Sequence, residues 1–229
     1  MPRQSRPVIA GVPHHVTQRG NRQGRVFFSK EDGEAYLEWL THHCQRREVE
    51  VIAYCLMPNH VHLVLVPPAE NSLERVFRPV HTRFAQRINR LRGWTGHLWQ
   101  GRFHSAALDG DHFYAAVRYV ERNPVKAGII TRAEDYRWSS AADHCGRRRD
   151  PILTQDPGWN RALESVGDWS RWLAADDGDA ECDDLRESTR QNRPCGSDDF
   201  VRAMETITGR DLQRRPQGGQ LRGDSLVRS

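Results

Sequence analysis

Residues 50–66 read EVIAYCLMPNHVHLVLV, a pattern that sets the centre of the sheet. Two apolar runs, Glu50–Leu56 and His60–Val66, flank the turn residues Met57-Pro58-Asn59. Short runs rich in Val and Ile, bounded by Pro and Asn, read as two strands of a hairpin. Alternate residues of a strand point to opposite faces. His60 and His62 therefore share one face, and Val61, Leu63 and Leu65 the other.

Working outward, His14–Arg19 (HHVTQR) reads as a short strand that stops at Gly20. Ser29 opens a helix with a capping-type signature, SKED, and Tyr36, Leu37, Trp39 and Leu40 repeat at helical spacing up to about Cys44. Asn71–Leu91 is helical in character, with Pro79 expected to kink or split it. Leu98–Ala106 is the expected last strand. Asp109 and Asp111 suit the start of a helix that continues over His112–Asn123. The order β-α-β-β-α-β-α predicts an α+β fold: a ferredoxin-like sandwich, with an antiparallel sheet and helices on one face. A further helix follows the last strand.

The chain has 229 residues, enough for one domain and an appendage. Its 37% hydrophobic content and mean hydropathy of −0.77, without a long apolar run, predict no membrane-spanning helix. The first residues (MPRQSRPVIAGVPHH) lack the apolar centre of a signal peptide. Five cysteines without a CxxC argue against a disulfide framework or zinc ribbon and for a reducing, cytoplasmic location.

Lysine and arginine together number 34 against 30 acids, a net charge of +4, yet only Lys30 and Lys126 are lysines. Arginine codon usage explains such a bias. So does phosphate recognition, because the guanidinium fork grips phosphate better than ammonium does. Position along the chain says more. Residues 1–155 carry a net +8, residues 156–187 a net −7 and residues 188–229 a net +3. We read a basic body over residues 1–150 and an extension over 151–229, the boundary falling in the charged, Pro- and Gly-rich stretch at Arg147–Gly158. The extension comprises an acidic spacer, a short amphipathic helix carrying Phe200, Met204 and Ile207, and a basic tail.

Two histidines on one strand face make half of a divalent-metal site, or equally a pair of core or surface imidazoles satisfied by neighbours. Tyr119 and Asn123 stand one helical turn apart and share a face. Pro124 should end or distort the helix at Asn123, leaving the Asn123 amide near a helix end. There its oxygen could join the two histidines on a metal, with Tyr119 aimed at whatever the metal polarises. A core tyrosine and a capping asparagine fit the same spacing.

Arg83, Arg87 and Arg90 repeat at i, i+4, i+7, matching a phosphate track or a solvated helix face. Arg19, Arg22 and Arg25 fall in the glycine-bracketed loop RGNRQGR, a second basic site. Arg102 sits between Trp99 and Phe103, either beside a stacking platform for bases or beside two core aromatics.

The segments GVPHHVTQRGNRQGRVFF, AYCLMPNHVHLVLVP, GHLWQGRFHS, RYVERNPVKAGI and EDYRWSSAADH occur in that order between about Val12 and His144. Together they resemble the single-tyrosine HUH transposases, most of all the REP-associated tyrosine transposases. The later stretch RPCGSDDFVRAMETITGRDL resembles the extension of the longer members. The resemblance implies that His60, His62 and Asn123 hold a divalent metal, Mg²⁺ or Mn²⁺, and that Tyr119 is the nucleophile. It implies cleavage and rejoining of single-stranded, hairpin-forming repeat DNA through a 5′-phosphotyrosine, by a monomer or a homodimer. Two other readings fit part of the pattern: a protein that binds such repeats without cutting them, and a metal-dependent nuclease that uses water.

Of the five tyrosines, Tyr36 and Tyr54 look like core and Tyr136 belongs to the EDYRWSS turn. Tyr114 shares a helix with Tyr119 but is rotated well away from the Asn123 face.

Overall fold

The computed structural model describes residues 6–175 and 180–213; the end of the basic tail, residues 214–229, lies outside them. Four strands, β1 (His14–Arg19), β2 (Glu50–Met57), β3 (His60–Val66) and β4 (His104–Ala107), form an antiparallel sheet in the order β2-β3-β1-β4. This is the ferredoxin-like arrangement expected from the element order. The hairpin at Pro58-Asn59 pairs Met57 with His60. In β1, Arg19 stands opposite His60 and Thr17 opposite His62. A side chain at Gly20 would run into the Gly24 carbonyl and the Val26 side chain, so the chain can turn out of β1 there only as glycine.

Helices α1 (Lys30–Arg46) and α2 (Ser72–Arg92) cover one face. Tyr36, Leu40, Phe77, Phe84 and Ile88 pack there against Val16, Tyr54, Val61, Leu63 and Leu65. Burying each of these large side chains contributes about 1.5–3 kcal/mol, so this face alone supplies much of the drive to fold. The capping box at the start of α1 forms as expected, with Asp32 Oδ2 accepting from the Ser29 amide at 3.1 Å.

Helix α3 (Gly110–Lys126) lies on the opposite face. Its Phe113, Ala116, Val117 and Val120 meet Ile52, Cys55, Val64 and Ala106. This is the face that carries His60 and His62. Asp109 caps the helix by accepting from the His112 amide.

Three boundaries differ from the sequence expectation. Helix α2 runs through Pro79 without a break, because Val76, Phe77 and Val80 on either side are buried and hold the turn against the sheet. Helix α3 continues past Asn123 and Pro124 to Lys126. It is stopped by Gly128 (φ 66°), where the amides of Gly128 and Ile129 bond back to Val125 and Pro124. The last strand is shorter than Leu98–Ala106. Residues 98–103 instead turn Leu98, Trp99 and Phe103 into the core, which irregular backbone allows and strand alternation forbids.

The chain beyond α3 wraps back onto this frame. Residues 138–140 extend the outer edge of β2, with Leu56 N donating to Trp138 O at 2.8 Å and Ser140 N to Tyr54 O at 3.0 Å. The acidic stretch, expected to be a spacer, forms helices α5 (Pro157–Glu164), α6 (Trp169–Ala174) and α7 (Ala180–Gln191), after the single turn α4 (Ala141–His144). Leu163, Trp169, Leu173 and Leu185 from these helices join the core around α3. Apolar residues spaced among the acids explain the difference. Cys195 then pairs with the β4 edge, its amide donating to Ala107 O at 2.8 Å. The amphipathic helix of the extension is α8 (Asp198–Thr208), which buries Val201 and Met204, leaves Ile207 exposed and ends at Gly209. All five cysteines are free.

Candidate active site

A cleft of about 770 Å³ opens on the α3 face of the sheet, beside Tyr119. The pleat of β3 presents His60 and His62 to it, and β1 presents His15, Thr17 and Arg19. Tyr119 comes from the middle of α3. Its ring meets His62 edge-on at 5.3 Å and His15 edge-on at 5.7 Å.

The three imidazoles are held neutral. Burial pushes the His15 pKa down to about 3. Burial, followed by the charge of Arg19, takes His60 down to about 4, against an opposing hydrogen bond with Asn123. His62 is driven well below its usual value by burial and by its neighbours His60, His15, Arg19 and Arg186. A neutral imidazole has one lone-pair nitrogen to offer.

Hydrogen bonds bear on which nitrogen that is. His60 Nδ1 lies 2.6 Å from Asn59 Oδ1, which can only accept, so Nδ1 carries the proton and Nε2 has the lone pair. His62 Nδ1 lies 3.0 Å from His15 Nε2, and His15 Nδ1 lies 2.8 Å from Thr189 Oγ1. Run as donors from His62 through His15 to Thr189, this chain leaves His62 Nε2 as the free nitrogen; run from Thr189, it leaves the proton there. Asn123 Nδ2 donates to Tyr119 O at 3.3 Å, which leaves its amide oxygen as the partner of His60. Two nitrogen lone pairs and an amide oxygen suit a divalent ion.

The other tyrosines are occupied elsewhere. Tyr114 donates to Ala162 O at 3.1 Å beside α5, Tyr54 to Asp150 Oδ2 at 2.5 Å and Tyr136 to Leu56 O at 2.8 Å. Tyr36 is fully buried, with its hydroxyl 3.1 Å from His81.

Five arginines line the cleft, Arg6, Arg19, Arg102, Arg186 and Arg190, and among the described residues no Asp or Glu does. Arg22 and Arg25 lie outside the cleft lining: Arg22 is exposed in a left-handed turn (φ 52°), and Arg25 Nε donates to Phe27 O. The α2 stripe lies beside α1, across the sheet from Tyr119. Arg83 sits over the Trp39 ring at 4.6 Å, Arg87 is 3.5 Å from Asp32, and Arg90 is exposed. Trp99 and Phe103 are core residues; the Trp99 indole donates to His81 O at 3.1 Å.

Sequence reasoning missed His15, Thr189 and Arg186. Strand alternation puts His15 on the face of Thr17 and Arg19, but linking it to His62 needs the β1–β3 register. Thr189 and Arg186 are remote in sequence and carry no local signal. Arg186 Nε donates to Tyr119 Oη at 3.3 Å, and its guanidinium lies 5.2 Å from the ring centre. A second grouping, His112, Asp184 and Cys195, keeps its ligand atoms within 4.8 Å of one another near the start of α3. There His112 is bonded to Asp109 at 2.7 Å and Cys195 to Asp184 at 3.4 Å.

The family model for IS200-like transposases matches residues 11–123, a span from just before β1 to Asn123. The chain resembles these transposases over that span. A Haemophilus influenzae protein described as a REP-associated tyrosine transposase is 28% identical over 137 residues, covering 55% of this chain and 76% of that one. A solved REP-associated tyrosine transposase, bound to a REP hairpin, superposes with a TM-score of 0.53 at 22% identity, over 68% of this chain and 92% of that one. That likeness bears on the fold. No helix among the described residues is long and apolar enough to cross a membrane.

Proposed function

We propose that this protein cleaves and rejoins single-stranded, hairpin-forming repeat DNA, with Tyr119 as nucleophile. The observation that carries the reading is the cleft itself: Tyr119, whose ring meets His62 and His15, shares a lining with His60 and five arginines and, among the described residues, no carboxylate. Arg186 and Arg190 are paired with Asp183 and Glu187 outside the lining, and the guanidiniums that face the cleft attract a polyanion. The hairpin as ligand follows from the relatives.

His60, His62 and Asn123 would hold Mg²⁺ or Mn²⁺, which when bound polarises the scissile phosphate. Tyr119 attacks phosphorus from α3. Its oxygen bonds to phosphorus, the bond to O3′ breaks, the phenolic proton passes to solvent and the departing O3′ takes up a proton. The product is a 5′-phosphotyrosine and a free 3′ end. The phosphoester energy is retained, so a second 3′-OH can reverse the step and join strands without ATP.

Arg19 and Arg102 are positioned to hold the strand in the cleft, while Arg22, Arg25 and the α2 stripe would serve DNA that leaves it. The protein would act in the cytoplasm, as a monomer or a homodimer. We take residues 1–150 as the catalytic body and 151–229 as its extension.

The test is incubation with hairpin-bearing oligonucleotides in Mg²⁺ or Mn²⁺. A covalent protein–DNA product that disappears in Tyr119→Phe supports the reading. Cleavage without adduct would replace it with a water-using nuclease, and binding without cleavage with a repeat-binding protein.

A further inference from the structure

We infer that helix α7, which lies outside the family-matched residues 11–123, belongs to the catalytic machinery and supplies Arg186 as a catalytic residue on the nucleophile. The inference rests on the reading of Tyr119 given above.

Two contacts from one helix face carry it. Arg186 Nε donates to the Tyr119 hydroxyl at 3.3 Å. Thr189, three residues on and so on the same face, meets His15 at 2.8 Å, and His15 in turn holds His62. One face of α7 therefore touches the nucleophile directly and a proposed metal ligand through one intermediary.

The helix is fixed rather than laid loosely across the site. Leu185, Ser188 and Thr189 are at most 2% exposed. Asn192 Oδ1 accepts from the Ser105 amide of β4 at 3.1 Å, and Cys195 continues the pairing along the sheet edge. Gly196 then passes so close to the Asp109 cap of α3 that a Cβ would lie 2.7 Å from its carboxylate. The two helices are thus locked together where α3 begins. Asp183 Oδ1 holds Arg186 Nη1 at 2.7 Å, so the guanidinium is oriented before DNA arrives.

A guanidinium on the attacking oxygen suits phosphoryl transfer. As Tyr119 Oη bonds to phosphorus and the bond to O3′ breaks, negative charge builds on the non-bridging oxygens. These lie within a bond length or two of the atom that Arg186 contacts. The planar fork matches phosphate oxygens, and a donor oriented in advance costs no reorganisation during the step. The half-exposed side chain makes Arg186 replaceable without loss of core packing.

The experiment compares wild type, Arg186→Ala and Arg186→Gln for covalent adduct formation on a hairpin-bearing single strand with Mn²⁺. Hairpin affinity is read by fluorescence anisotropy and folding by circular dichroism. Arg186→Ala is expected to slow adduct formation about 100-fold at saturating DNA, with partial recovery on adding ethylguanidinium. Hairpin affinity should change far less. An Arg186→Ala protein that reacts at the wild-type rate, or a slow one that ethylguanidinium does not rescue, overturns the assignment and leaves Tyr119 in place. If Arg186→Ala does not fold, Arg186→Gln decides, and a wild-type rate there overturns it equally. Absence of adduct from the wild type itself overturns both readings.

Discussion

His15 Nε2 lies 3.0 Å from His62 Nδ1, at the centre of a hydrogen-bond chain that runs from β3 through β1 to Thr189 on α7. The rings lie edge to edge within 4° of coplanar, so flipping His62 would break the bond. A partner of this kind on a ligating histidine sets its tautomer, and its loss weakens metal binding about 10–100-fold. His15→Ala should therefore lower Mn²⁺ affinity by that order, measured by calorimetry or by the free Mn²⁺ resonance signal. His15→Gln, which keeps an acceptor near the site, should recover part of it. Unchanged affinity in both variants would exclude His15 from orienting the site.

Tyr114 and Tyr119 separate cleanly by their surroundings. Tyr114 is bonded to Ala162 O beside α5, whereas Tyr119 meets His62, His15 and Arg186. Tyr119→Phe should abolish the covalent adduct while shifting stability by no more than about 1 kcal/mol, the scale of one hydrogen bond. Tyr114→Phe should form the adduct normally. Adducts persisting in Tyr119→Phe, located by peptide mass spectrometry, would move the nucleophile elsewhere.

Helix α3 is held from behind by Glu121, whose Oε1 meets His144 Nδ1 at 2.6 Å and accepts from Ser140 Oγ. Burial disfavours charge on His144, but the Glu121 carboxylate more than offsets this, and the pKa is raised. A histidine whose folded pKa exceeds the unfolded value of about 6.5 stabilises the fold fully below that pH. The contribution is lost as pH rises through the folded pKa. Wild type should lose melting temperature on this alkaline side, and Glu121→Gln should show a much flatter profile from a less stable starting point. The cost of removing one partner of a buried pair is about 3–5 kcal/mol. A parallel pH profile in the two proteins would exclude the pair as the titrating element.

The arginines divide by location. Arg19 and Arg102 line the cleft, and Arg83, Arg87 and Arg90 lie across the sheet beside α1. Substituting either cleft arginine by Ala should reduce the slope of log affinity against log salt by about one, for a strand that occupies the cleft. Arg83→Ala and Arg90→Ala should change the slope less with a short oligonucleotide. A full unit of change there would show that the DNA path continues around the molecule onto α2.

Much of this was legible in the sequence because it is local. Alternation in HVHLVLV placed His60 and His62 on one face, the SKED signature marked the start of α1, and the order of elements predicted the sheet. The misread boundaries, Pro79, Pro124 and the 98–103 loop, are places where burial overrides local preference. A proline costs one backbone bond, which buried flanking side chains outweigh. What the sequence determined by itself, then, was the strand face, the helix face and the kind of chemistry they suit. Tertiary structure alone decided which of the described arginines reach the cleft, that His15 supports His62, and that the acidic stretch returns over the site to set Arg186 on Tyr119. Residues 119 and 186 are far apart along the chain, and their meeting depends on β4 pairing and on apolar side chains scattered among acids. No period or spacing in the sequence encodes such a contact.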